Sequence, residues 1–377
     1  PITSLNRMVK DSWYYDISRK LLYVWLPDSS NPSTHAVLST KSHYLSANGI
    51  MIDRASYIKI YGFKVRMACF NIHVFSPQHH IEIKNVEVFG GYDSIRLERG
   101  ASYVTLDNVN VHNNIGHGIQ CNASYCTIKN SDIHHNGVVP WSRWGGCGVI
   151  LMGDNNVLRN CTIHDHGLSG AYGAGVVLET WGTDGTARPD TSHDNLIEGN
   201  KIYNNKANYG LTISGADNNK IRRNLIYDNM YGIGVHKGGM GGSTTGEQRL
   251  AENNRIYNNT IVNNEFSGIN IETETKGTFI QNNIFYKNGS YEIYNKTPSS
   301  PNFNFNVYYN EGRTPFRWSG NSYTFDSYKT AFGQDSNSIS ADPKVVNVAV
   351  SDFSLSTGSP CIDKGTNLGL SYSGSAP

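Results

Sequence analysis

Three groups of side chains in this 377-residue chain have the types that acid–base chemistry requires. Glu179 ends the run Gly175-Val176-Val177-Leu178-Glu179 among small and apolar neighbours. A carboxyl so placed can serve as acid, base or nucleophile, and a solvated carboxylate would read the same way. His166 closes Ile163-His164-Asp165-His166, one repeat after His134-His135. It is either a catalytic imidazole or a substitute for the Asn that other repeats carry there. His236-Lys237 leads into Gly238-Gly239-Met240-Gly241-Gly242, where the Lys is either functional or a solubilising loop charge.

Two reactions suit these residues. Glycoside hydrolysis needs two carboxyl groups about 5 to 9.5 Å apart. Glu179 is one candidate, and its partner must come from Asp165 on one side or from Asp184, Asp190 and Asp194 on the other. Glu98 and Glu272 each lie three repeats away, about 14 Å at the inter-strand spacing. Elimination from a uronate needs a base to remove the proton beside the carboxylate, plus a positive or hydrogen-bonding group to neutralise that carboxylate. His236, Lys237, His166 and Tyr231 have the required chemistry. Trp141, Trp144 and Trp181 offer faces for sugar rings, and Arg143, Tyr172, Gln120, Tyr209, Tyr231 and Glu272 complete the candidate substrate contacts. No run has zinc-type ligand spacing. No metal or cofactor is therefore expected, with calcium left as a possible ion and metal binding conceivable at the histidine-rich strip of His134, His135, His164 and Asp165.

The elements that must position these groups are repeats. Seven segments close on one phrase, among them Val111-His112-Asn113-Asn114, Ile202-Tyr203-Asn204-Asn205 and Phe285-Tyr286-Lys287-Asn288, and the closing positions are 22, 30, 39, 24, 35 and 24 residues apart. A unit near 22 residues with period-2 alternation and no helical signal predicts a solenoid of strands. Each turn would supply three short strands, and about ten turns are expected. Asn200, Asn224, Asn259 and Asn283 fall in one column, and Asn114, Asn136, Asn205, Asn229, Asn264 and Asn288 in another. Asn tolerates the left-handed conformation and can both donate and accept along a stack, so these columns are structural. A solenoid needs no insertions, and long loops are usually functional. Residues 137–147, 167–174, 180–193 and 237–252 are therefore expected to wall a groove, with the outward side chains of the Gly-led strands as its floor.

The phrase Asn-Asn-x-Ile-x-x-Asn-x-Ile-x-x-Asn, at Asn218 to Asn229 and again at Asn253 to Asn264, resembles the right-handed parallel β-helix repeat family of secreted carbohydrate-active proteins. The resemblance covers about two-thirds of the chain. It implies an all-β fold, a right-handed parallel β-helix, secretion, and a polysaccharide or oligosaccharide as partner. The family spans glycoside hydrolases, polysaccharide lyases, epimerases, phage tailspikes and adhesins, so the motif specifies fold more than chemistry. The chain departs from some of its patterns. It lacks the clustered Asp set of pectate lyases and the paired Asp of polygalacturonases, and Ser214 stands where an alginate lyase would carry Lys. On these grounds a glycoside hydrolase is expected, with a lyase as the alternative and a non-catalytic adhesin as the third reading.

The remaining features bound the answer. A net charge of +1 with 17% charged residues argues against a nucleic-acid partner. No stretch is long and apolar enough for a membrane span, and a monomer is expected. The six cysteines read mostly as buried thiols, with one disulfide possible. Residues 1–49 are expected to form a strand segment that caps the solenoid, 50–310 the β-helix, and 311–377 a tail packing on it, with a short helix near 325–333. All would form one structural domain.

Overall fold

The computed structural model describes residues 12–16, 21–25, 36–38, 48–66, 68–137, 146–167, 173–180, 192–238, 249–272, 274–298 and 301–371. They fall into two compact units, Pro1–Val176 and Val177–Pro377. In each unit every turn contributes one short strand to each of three parallel sheets. The turn Ile119–Cys121, Thr127–Lys129 and Asp132–His134 is typical. Among the described residues the first unit holds five such turns, beginning at Asn48–Ile52, and the second five, ending at Val307–Tyr309. That total meets the expectation of about ten.

Register follows the alternation of apolar and polar residues, because a slip of one residue would turn every inward side chain to solvent. In the first unit Ile95, Ile119 and Val149 are paired neighbours in one sheet, and Val111, Ile133 and Ile163 in another. All six are fully buried. In the second unit Leu211, Ile233, Ile269 and Ile293 do the same. The core is thus a set of like-on-like columns, each residue packed on its counterpart one turn away.

Corners between strands need a left-handed residue. Asn85, Asn108, Asn130 and Asn160 have φ of 53 to 54° at one corner of the first unit. At another, Asn113 stands in the first unit, and Asn204 and Asn263 in the second. The buried Asn columns lie just inside. Asn200 donates Nδ2 to Asn224, Asn224 to Asn259 and Asn259 to Asn283, each at 3.0 Å, and Asn283 continues to Asn306 at 3.1 Å. Each acceptor oxygen also takes a backbone N–H from the turn before, as from Asn224 N to Asn259 at 3.0 Å. One amide therefore satisfies an N–H and a carbonyl of the turn before, groups that parallel strands leave unpaired at their ends.

At the N-terminal end, Ser12–Asp16 pairs antiparallel with Leu21–Trp25, the strand–turn–strand read from the sequence. At the other end, Thr324 caps the helix Phe325–Phe332 and Gly333 closes it at φ 61°. Tyr328 of this helix stacks on Phe316 at 4.1 Å, covering the last aromatic core layer with Tyr308 and Trp318. The tail then runs back along the second unit, packing Phe353 on Tyr227, Val262 and Tyr286. Asn282 bonds both backbone groups of Thr366 at 2.8 and 2.9 Å. All six cysteines are free thiols, five of them buried. No helix among the described residues is long and apolar enough to cross a membrane.

Candidate functional site

One outward row of the second unit gathers the chemistry. Thr180 donates its N–H to the Ser214 carbonyl at 3.4 Å, which sets Glu179 beside Ser214. Ser214 pairs with His236, and the pairing of Val235 with Ile271 brings Glu272 beside His236. Lys296 follows Asn295, the partner of Ile271. The row therefore reads Glu179, Ser214, His236, Glu272, Lys296, one residue per turn.

His236 is the most constrained member. It is 3% exposed, its Nδ1 lies 3.1 Å from Glu272 Oε2, and its Nε2 is buried with no hydrogen-bond partner. The bond to the carboxylate fixes the ring's orientation through Nδ1 and leaves Nε2 as its one nitrogen without a partner. Gly234 makes room for this arrangement. A Cβ there would come within 2.4 Å of His236 Nε2 and 2.7 Å of the Tyr209 ring. The Tyr209 ring meets His236 edge-on at 4.8 Å, and its hydroxyl accepts from Asn270 Nδ2 at 2.7 Å. Asn270 also donates to Glu272 Oε1 at 3.0 Å, and Lys296 donates to the same oxygen. Tyr231 stacks on Tyr209 at 4.8 Å, with Phe266 on its far side at 5.1 Å.

The electrostatics separate the two carboxyl groups. His236, then Lys296, hold Glu272 down at about 2, so it is a fixed anion throughout the working range. Burial alone pushes Glu179 up to about 7. Burial, and then the charge of Glu272, push the Tyr209 phenol well above its usual range. An imidazole backed by a carboxylate, a phenol bonded to an amide and a lysine can together move a proton and bind an anion. Glu179 is a separate acid on the same row.

The other sequence-derived candidates are distributed as follows. Tyr209, Tyr231, His236, Glu272 and Glu179 share the outward face of one sheet in the second unit. Lys237 is exposed beside them, its carbonyl accepting from Ser214 Oγ at 3.2 Å. His166 is corrected to a structural role. It is 1% exposed, its Nδ1 accepts the Asn136 N–H at 3.2 Å and its Nε2 lies 3.1 Å from the Ile133 carbonyl, so the imidazole replaces a ladder amide. Asp165 in the first unit pairs with His164 at 2.5 Å, and Gln120 in that unit is buried. Asp194 is exposed and bonded to His193 at 2.7 Å. Asp184, Asp190, Trp141, Arg143, Trp144, Tyr172 and Trp181 lie outside the described residues, as does most of the four expected loop walls. Lys296 was missed because the repeat phrase decays after Asn288. Continuing the alternation through Ile293-Tyr294-Asn295-Lys296 would have turned it outward on the same row.

Residues 70–246 match the family model described as a right handed beta helix region. An uncharacterized protein of Bacillus subtilis, YwoF, is 27% identical over 195 residues, 40% of each chain. The chain thus spans well under half of the curated relative it matches. Among solved structures, the tailspike of Escherichia coli bacteriophage HK620, a mutant in complex with a pentasaccharide, aligns with TM-score 0.52 and 11% identity over 67% of this chain and 47% of its own. The A-module of the Azotobacter vinelandii mannuronan C-5 epimerase AlgE6 aligns with TM-score 0.48 and 15% identity over 76% of this chain and 65% of its own. Three parallel sheets, inward Asn columns and the family match agree: the fold of this chain is the right-handed parallel β-helix.

Proposed function

We propose that the protein is a carbohydrate-active enzyme that cleaves a uronate-containing polysaccharide by elimination, with His236 as the base. The observation that carries this reading is the buried, unpartnered Nε2 of His236, a ring whose Nδ1 is bonded to Glu272 and which the Tyr209 ring meets edge-on. In the reaction, Nε2 takes the proton on the carbon beside the uronate carboxylate. The electron pair forms the new C=C bond, the C–O bond to the leaving sugar breaks, and the leaving oxygen is protonated, with Tyr209 as the donor. Lys296 faces the charge that builds up on the carboxylate. A saccharide ligand also suits the shared fold, since the tailspike neighbour was solved with a pentasaccharide.

This reading reverses the order expected from the sequence, where hydrolysis stood first. Among the described residues Glu179 has one carboxylate on its row, Glu272, three strands away or about 14 Å. Glu272 is already committed to His236 and Lys296. Hydrolysis remains the second reading because burial keeps Glu179 protonated up to about 7, the state a general acid requires. Incubation with a panel of neutral and uronic polysaccharides separates the two, following reducing ends together with the ultraviolet absorbance of unsaturated uronates. Elimination raises both signals. Hydrolysis raises reducing ends alone and would overturn the proposal, and so would the absence of any product.

A further inference from the structure

A second cluster, in the first unit, contains no member of the His236 row. His112, His134 and His164 occupy paired positions on successive strands of one sheet. Their rings stack at 4.9 and 5.1 Å with planes within 13° of parallel. The corner that follows is the left-handed position filled by Asn113 one turn earlier, and by Asn204 and Asn263 in the second unit. In the next two turns it holds His135 at φ 51° and Asp165 at φ 57°. The fold does not ask for these residues, since Asn serves the same corner elsewhere. Their effect is local. A ring nitrogen of His135, a ring nitrogen of His164 and a carboxylate oxygen of Asp165 all lie within 4.8 Å of one another.

From this geometry we infer that His135, His164 and Asp165 bind one divalent ion of the zinc, cobalt and nickel class. Two imidazoles and one carboxylate are borderline ligands that suit such ions, whereas calcium takes six to eight oxygens. Three protein ligands leave the remaining positions to water. The surroundings already orient one of the rings. Asp132 Oδ1 lies 3.2 Å from His164 Nε2 and Asp165 Oδ2 2.5 Å from its Nδ1, so one carboxylate backs the ring and the other meets it on the ligand side. A carboxylate behind a ligating imidazole is the usual support for a metal-bound histidine. Binding displaces the proton shared by His164 and Asp165 and connects two successive turns of the solenoid.

Calorimetric titration of the full chain with zinc chloride, and in parallel with calcium chloride, tests this. One zinc ion per chain is expected, without calcium uptake. The double variant His135→Asn, Asp165→Asn places at both corners the residue that sibling turns carry, and it should lose zinc while its circular dichroism and melting midpoint in EDTA match the wild type. If the double variant melts early, His135→Asn alone makes the same test. Asp132→Asn keeps all three ligands and should bind about 10- to 100-fold more weakly. Zinc should raise the wild-type melting midpoint and leave that of the double variant unchanged. The inference is overturned if the wild type takes up no zinc, if calcium binds as tightly, or if the folded variants retain wild-type zinc affinity.

Discussion

At the scale of single residues, His236 and Glu179 answer different questions. His236→Ala should lower turnover of a uronic polymer by roughly 100- to 10,000-fold, the usual worth of a positioned base. It should leave the fold intact, because the ring lies on the outward face of its sheet. Glu179→Gln keeps shape and hydrogen bonding and removes only the titration. Under elimination it should change turnover little. Under hydrolysis it should abolish it, and wild-type activity should then fall as pH rises through about 7 and Glu179 loses its proton. Steady-state kinetics of the two variants across pH therefore separate the mechanisms. A dead Glu179→Gln beside an active His236→Ala would hand the site to the hydrolase reading.

At the scale of an element, the Asn columns set both stability and its pH dependence. Asn259→Ala would strip a partner from the Asn224 N–H and amide and from the Ile221 carbonyl, all buried. Each buried group left unpaired costs roughly 1–3 kcal/mol, so the urea midpoint should drop sharply. The other column ends differently: Asn288 donates its side-chain amide and its backbone N–H to Glu292, a fully buried carboxyl that burial pushes up to about 8. A raised carboxyl keeps its proton in the folded chain after the unfolded chain has lost it. Its contribution is whole below about 4.5 and disappears as pH rises through about 8. Glu292→Gln, which holds the hydrogen-bonding shape without titrating, should flatten the fall in stability across that window. Chemical denaturation at several pH values would show it, and an unchanged slope would refute the assignment. Glu272 acts in the opposite sense: its lowered value adds stability above about 4.5 that disappears as pH falls through about 2.

At the scale of the whole molecule, the tail is part of the second unit's packing. Tyr227, Val262 and Tyr286 line up on the outside of one sheet, and Phe353 covers them, with Val345 and Val348 beside it. Without that cover the sheet would present an aromatic patch to water, the kind of surface that recruits other chains. Phe353→Ala should destabilise the protein by about 3 kcal/mol or somewhat less, since Phe353 keeps 9% of its surface exposed. It should also increase binding of a hydrophobic dye under native conditions. Unchanged dye binding and an unchanged melting midpoint would show that the tail only lies along the sheet.

The repeat phrase alone determined the parallel β-helix, the number of its turns and the Asn columns, because each depends on local periodicity and on the left-handed corners that Asn accepts. It also singled out Glu179 by its small and apolar neighbours, His236 by the Gly-rich loop that follows it, and His166 as a break in the Asn column. What surrounds each of them is visible only in three dimensions. His166 proved to be a ladder substitute, since both its nitrogens meet backbone groups 30 and 33 residues away in the chain. His236, a base candidate from the sequence, met its orienting partner in Glu272, 36 residues on, and Lys296 joined it from a turn whose phrase had already decayed. His135, His164 and Asp165 show no ligand spacing in sequence because they converge across two turns separated by a loop. Periodicity specifies which way a side chain points. Which side chains then meet depends on the stacking of turns, and insertions of unequal length hide that register from a linear reading.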